Sequence, residues 1–112
     1  MFGDGSFGLN GMEFEAMARQ GINVVGIVGN DAAWMQIMRG QQQLYGKERL
    51  VATKLEYTHY EKVVEALGGH AEYVDTCEDL MPALERAFAA NKPALVNVKI
   101  GDSGFRKGSI SV

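Results

Sequence analysis

The 112-residue chain holds a single cysteine, Cys77, and only two prolines. One cysteine can neither close an internal disulfide nor supply a Cys-x-x-Cys metal knuckle, so a reducing, cytoplasmic compartment is expected. No apolar stretch approaches the roughly 20 residues that a bilayer-crossing helix needs. The N-terminus shows neither the basic nor the apolar segment of an export signal. Positive charge is also in short supply: 11 Lys and Arg against 14 Asp and Glu leave a net charge of -3. With no Lys/Arg block either, no nucleic acid and no membrane surface is expected as partner.

The chain does have the apolar content of an ordinary globular unit, 46% hydrophobic and 22% charged residues, at a length of one domain or less. Its 14 glycines are many for this length. Residues 10 to 21 predict a helix, with Asn10 as N-cap, Glu13 completing a capping box and Gly21 as the stop. The β-branched run "INVVGIVG" (22–29) predicts a buried parallel strand, and "NDAAWMQIMRG" a tight turn and short helix. Residues 40 to 56 are polar and weakly periodic, which suggests a lid. Thr58 and Glu61 form a second capping-box pattern before Tyr60, Val63, Val64 and Leu67. "AEYV" (71–74) predicts a strand, Thr76 a helix cap, and Pro82 falls inside the following helix to about Ala90. "PALVNVKI" (93–100) predicts the last strand and 101–112 an irregular polar tail. This alternation predicts an α/β fold, a mostly parallel sheet flanked by helices.

The first eleven residues, "MFGDGSFGLNG", contain the pattern G-x-G-x-x-G, with Asp31 at about the separation a dinucleotide fingerprint expects. That pattern works by bringing bare backbone against a pyrophosphate, and a carboxylate between the first two glycines opposes it. The predicted helix at Asn10 also starts too late for a dinucleotide site. A divalent cation changes the sign of the argument, because Mg²⁺ takes carboxylate and phosphate oxygens together. Asn30 and Asp31 stand at the carboxyl end of the neighbouring predicted strand, where open α/β sheets bind ligands. Taken singly, Asp4 can make a turn and Asp31 can cap a helix; taken together they form a candidate metal pair.

"GDGS", two dozen residues of helix and strand, and then "ND" resemble the cofactor motif of thiamine diphosphate-dependent enzymes. The resemblance runs over essentially all 112 residues. "GDGSF", "GMEFEAMAR" and "PALVNVKI" look like acetolactate synthase, oxalyl-CoA decarboxylase and 2-hydroxyacyl-CoA lyase relatives, and "NDAAW" and "FRKGSISV" most like acetolactate synthase-like proteins. It implies that residues 1–112 form the C-terminal portion of the diphosphate-binding domain, lacking its first strand or strands. By position it implies Mg²⁺ ligands at Asp4, at Asp31 and at the Ala33 carbonyl. Diphosphate contacts are implied at Gly3, Gly5 and Ser6, and Asn30 is implied to shape the turn or reach the diphosphate. Asp31 departs from the family's asparagine, keeping an oxygen donor but adding a negative charge.

The resemblance further implies a small 2-oxo acid or acyl-CoA-type substrate, and a carboligase, lyase or decarboxylase activity in which the cofactor supplies the chemistry. It implies a homo-oligomer and a pyrimidine-binding domain, on the same full-length chain or another subunit, that carries the activating glutamate. No catalytic residue is therefore expected within this stretch, and Glu13 and Glu15 do not substitute. FAD enters only through a further domain absent here. The alternatives are a non-catalytic binding or assembly module and, on the glycine pattern alone, a dinucleotide-binding domain. Trp34 and Gln36 are candidates to line a cleft, while Met35 and Met38 are expected to pack on the sheet. His59 and His70 are expected as surface histidines without a carboxylate at useful spacing, and Cys77 as structural. Lys47, Arg49 and Lys54 are expected in the lid, where they either solvate a loop or meet an anionic substrate tail.

Overall fold

The computed structural model describes residues 1–101; the predicted polar tail beyond that point lies outside the described residues. Four parallel strands form one sheet: β1 (Phe2–Gly3), β2 (Val25–Asn30), β3 (His70–Val74) and β4 (Ala94–Lys99), in the order β1-β2-β4-β3. Among the described residues five α-helices connect them: α1 (Asp4–Asn10), α2 (Glu13–Gln20), α3 (Met35–Tyr45), α4 (Tyr60–Ala66) and α5 (Cys77–Ala89). The α/β reading and the parallel sheet are thus as expected. No helix among the described residues is long and apolar enough to cross a membrane.

Alternation along the central strands sorts their side chains onto two faces. Val28 and Leu95 turn toward α1, α2 and α4, where Phe7, Phe14 and Val64 close one buried cluster. Ala94 and Val96 turn the other way, onto Ala83 and Ala87 of α5 and Val74 of β3. Phe14 reaches the sheet over Gly26, whose Cβ position would lie 2.9 Å from the Phe14 ring. The glycine therefore lets the helix layer approach closely. Tilted ring contacts from Phe7 to Phe2, Phe14 and Tyr60 tie β1 and three helices together.

Several boundaries differ from the sequence reading. Asn10 ends α1 instead of capping a helix, and α2 starts at Glu13 with Met12 at its N-cap and no side-chain cap bond. Gly21 does end α2, in the left-handed conformation at φ 68° that glycine adopts without strain. A helix thus begins within "GDG" itself, because burying Phe7 outweighs the poor helix propensity of Gly5 and Gly8. Thr58 is likewise not a cap: His59 holds that position, and Glu61 turns into the interior. Thr76 does stand at the N-cap of α5, where its hydroxyl donates to the Asp79 carboxylate at 2.7 Å.

The predicted lid is part helix and part strap. α3 extends to Tyr45, a 3-10 turn follows at Lys47–Arg49, and the chain then returns antiparallel to residue 33 through an Ala33–Lys54 bridge. α3 buries no residue and lies against the 3-10 turn, so Met35 and Met38 do not pack a buried face onto the sheet.

Candidate functional site

β1 and β2 are neighbours with Phe2 opposite Val28 and Gly3 opposite Gly29, so their carboxyl ends lie side by side. β1 stops at Gly3, and the next residue, Asp4, opens α1 with its side chain 1% exposed. One Asp4 carboxylate oxygen accepts the Gly5 N–H at 2.9 Å, and the other accepts the Ala33 N–H at 3.2 Å. Asp4 therefore pins the start of α1 to the turn that follows β2. Asp31 and Ala33 of that turn, together with Gly3, Gly5 and Ser6, line one open cleft of about 580 Å³. The sequence-predicted residues of the two strand ends are thereby brought together.

The turn itself is built from three directions. Ala32 takes a left-handed φ of 55°, unusual for a residue with a Cβ. The Asn30 side-chain oxygen accepts the Ala32 N–H at 3.2 Å and holds that conformation. From the strap, the Thr53 carbonyl accepts the Trp34 N–H at 2.8 Å, and the Leu55 N–H donates to the Ala32 carbonyl at 2.7 Å. Trp34 lies over the start of α1 so closely that a Cβ at Gly5 would stand 2.9 to 3.0 Å from its ring carbons. Only glycine fits there. Trp34 and Gln36 line the cleft as expected, and so does Met35, which the sequence reading places against the sheet.

Asn30 shapes the turn but does not line the cleft, because its amide is engaged inward. Its Nδ2 donates to the Thr58 carbonyl at 3.0 Å and to Asn97 Oδ1 at 3.2 Å. Asn97 Nδ2 in turn donates to Thr58 O at 3.0 Å and to Glu61 Oε2 at 2.7 Å. His59 Nδ1 lies 2.7 Å from Glu61 Oε1. Both histidines have a glutamate two residues on, since His70 Nε2 lies 2.7 Å from Glu72 Oε1. That spacing is missed when only helical separations are searched. The sequence places Glu61 only in a capping box and gives Asn97 no role; an asparagine inside the apolar strand "PALVNVKI" is the available signal, since a buried amide must find partners.

The donor set fits a hard divalent cation beside a diphosphate. Asp4 and Asp31 offer carboxylates from adjacent strand ends and Ala33 offers a carbonyl, all oxygen. Among the described residues no group of three or more His, Cys, Asp or Glu could hold a metal by itself. A cation here would complete its coordination with water and ligand oxygens, which is the usual Mg²⁺ arrangement. Lys47 and Lys54 line a separate cavity of about 340 Å³ beside Thr53, and neither lines the 580 Å³ cleft. Cys77 is free, exposed and at the start of α5.

A parallel α/β layer with a cleft at two neighbouring strand ends defines the class of open α/β sheets that bind ligands at the carboxyl ends of their strands. Within that class, residues 1–98 match the family model for the "Thiamine pyrophosphate enzyme, C-terminal TPP binding domain", and the chain belongs to that family. Acetolactate synthase large subunit IlvG of Mycobacterium tuberculosis is 46% identical over 96 residues, 86% of this chain and 17% of that protein. 2-Hydroxyacyl-CoA lyase 2 of Caenorhabditis elegans is 42% identical, covering 100% of this chain and 18% of that protein. The thiamine diphosphate-dependent 4-hydroxybenzoylformate decarboxylase of Rhodococcus jostii RHA1 superposes with a TM-score of 0.80 at 25% identity, over 90% of this chain and 19% of that one. The chain thus spans under a fifth of the length of these relatives. The dinucleotide reading of the glycine pattern gives way to thiamine diphosphate, and its helix-start objection was mistaken, since α1 does begin at Asp4.

Proposed function

We propose that this chain is the Mg²⁺-diphosphate anchor of an enzyme that makes or breaks carbon–carbon bonds of 2-oxo acids or 2-hydroxyacyl compounds. The observation that carries the reading is the convergence of Asp4, Asp31 and Ala33 on one cleft at adjacent strand ends. Asp4, Asp31 and the Ala33 carbonyl hold the cation. Gly3, Gly5 and Ser6 bring backbone close to the diphosphate, and Trp34 closes the wall beside them. When bound, thiamine diphosphate supplies the carbanion chemistry. This chain's residues bind and orient its charged end.

The group that activates the cofactor lies on a pyrimidine-binding domain, from the same polypeptide or from a second copy in a homo-oligomer. That division is supported by the share of the relatives' length that the chain spans. The test is to supply the intact native polypeptide with Mg²⁺ and thiamine diphosphate, and to assay acetolactate formation from pyruvate against cleavage of a 2-hydroxyacyl-CoA. Turnover of one that is lost without Mg²⁺ supports the reading. Cofactor-independent turnover, or none with either substrate class, overturns it.

A further inference from the structure

We infer that Glu61 and Asn97 are positioning residues for the Asn30–Ala33 turn, setting the direction of a buried hydrogen-bond chain that holds the turn in shape. The inference rests on the reading of that turn as a cation site.

The direction follows from which groups carry protons. An amide N–H donates and a carboxylate oxygen accepts, and Asn97 presents Nδ2 to Glu61 Oε2, at 2.7 Å. The same Nδ2 donates to Thr58 O, which leaves Asn97 Oδ1 facing Asn30. Asn30 must then present its own Nδ2, which also reaches Thr58 O. Its Oδ1 is thereby aimed at the Ala32 N–H, the bond that holds the left-handed turn. Reversing either amide would set oxygen against oxygen or N–H against N–H. Asn30 and Asn97 are 0% exposed and Glu61 2%, so no reversed group can turn to water instead. The chain ends at His59, whose side chain is 61% exposed and closes the second Glu61 oxygen. Neither Glu61 nor Asn97 lines the cleft, so both act through Asn30 and the turn.

The test uses the intact native polypeptide with thiamine diphosphate, and Mn²⁺ as a paramagnetic probe of the cation site. The Mn²⁺ dissociation constant is read by electron paramagnetic resonance, and melting without metal is recorded beside it. Glu61→Leu removes the acceptor that starts the chain. It is expected to weaken Mn²⁺ binding severalfold, short of the about 10 to 100-fold that follows loss of a group bonded directly to a metal ligand. Asn97→Asp sets two carboxylates against each other and is expected to do the same.

The decisive variant is the pair Glu61→Gln with Asn97→Asp. The amide introduced at position 61 can donate to the carboxylate introduced at position 97, whose other oxygen still accepts from Asn30. The direction at Asn30 is thereby restored, while the Asn97 bond to the Thr58 carbonyl stays lost, so Mn²⁺ affinity should recover part of the way toward wild type. A generic packing role gives no reason for that rescue. Wild-type affinity in both single variants overturns the inference, and so does a pair that binds no better than Asn97→Asp, folded or not. A wild-type protein that binds no Mn²⁺ overturns the cation reading itself, which is a different result from wild-type binding that the variants leave unchanged.

Discussion

Gly5 carries two demands at once, since it follows the buried Asp4 and lies under the Trp34 ring. Gly5→Ala would force the indole away from α1, costing about 1 to 3 kcal/mol of stability as overpacking does. Trp34 is the sole tryptophan, so its emission should shift in the variant, and an unchanged spectrum with unchanged stability would contradict the contact. Thr53 makes the opposite case. It is 3% exposed and its hydroxyl has no hydrogen-bond partner among the described residues. Thr53→Val keeps the shape and removes the orphan, so melting should show a gain of about 1 kcal/mol. A loss would reveal a partner for the hydroxyl outside the described residues.

Among the elements, edge strand β3 is tied to α5 by an ion pair beside the buried contact of Val74 with Ala83 and Ala87. Arg86 Nε and Nη2 donate to the two Glu72 carboxylate oxygens at 2.9 and 2.8 Å. That fork holds the Glu72 carboxyl below the usual glutamate range, with His70 adding in the same direction and partial burial opposing both. A depressed folded value stabilises the fold above the ordinary glutamate pKa of about 4.3 and loses that contribution as pH falls through the lower folded one. Glu72→Gln should therefore cost about 1 kcal/mol near neutrality and flatten this part of the acid limb in pH-dependent melts. Equal acid limbs in the two proteins would remove the pair from the stability of the sheet edge. Pro82, the sixth residue of α5, withholds the N–H that would meet the Glu78 carbonyl. Pro82→Ala should stabilise the helix by about 1 kcal/mol in thermal melts, well short of the interior-helix difference because the flexible unfolded chain offsets part of it.

The strands were legible because "INVVGIVG" and "PALVNVKI" are β-branched runs with no competing period. The helix starts were less so. Asn10 with Glu13 and Thr58 with Glu61 both have the local capping pattern, and in both places tertiary demands prevail: Phe7 pulls the glycine-rich opening into α1, and Asn97 draws Glu61 inward.

Across the whole molecule, the cleft's carboxylates come from two segments about two dozen residues apart, with Ile100 reaching it from a third; Asp4 and Asp31 are legible from charge, and Gly3, Gly5, Ser6 and Ala33 from the family resemblance. The structure puts Gly3, Asp4, Gly5, Ser6, Asp31 and Ala33 on one cleft and leaves Asn30 behind it. What could not be read is the support. Asn97 meets Asn30 across 67 residues and Glu61 across 36, separations at which no local period operates. Isothermal titration of the intact native polypeptide with thiamine diphosphate in the presence of Mg²⁺, alongside Asp4→Ala and Asp31→Ala, decides whether this cleft is the anchor. Wild-type binding that needs Mg²⁺, weakened by about tenfold or more in each variant, is the expected result. Binding of equal strength in all three proteins, or binding indifferent to Mg²⁺, would contradict it.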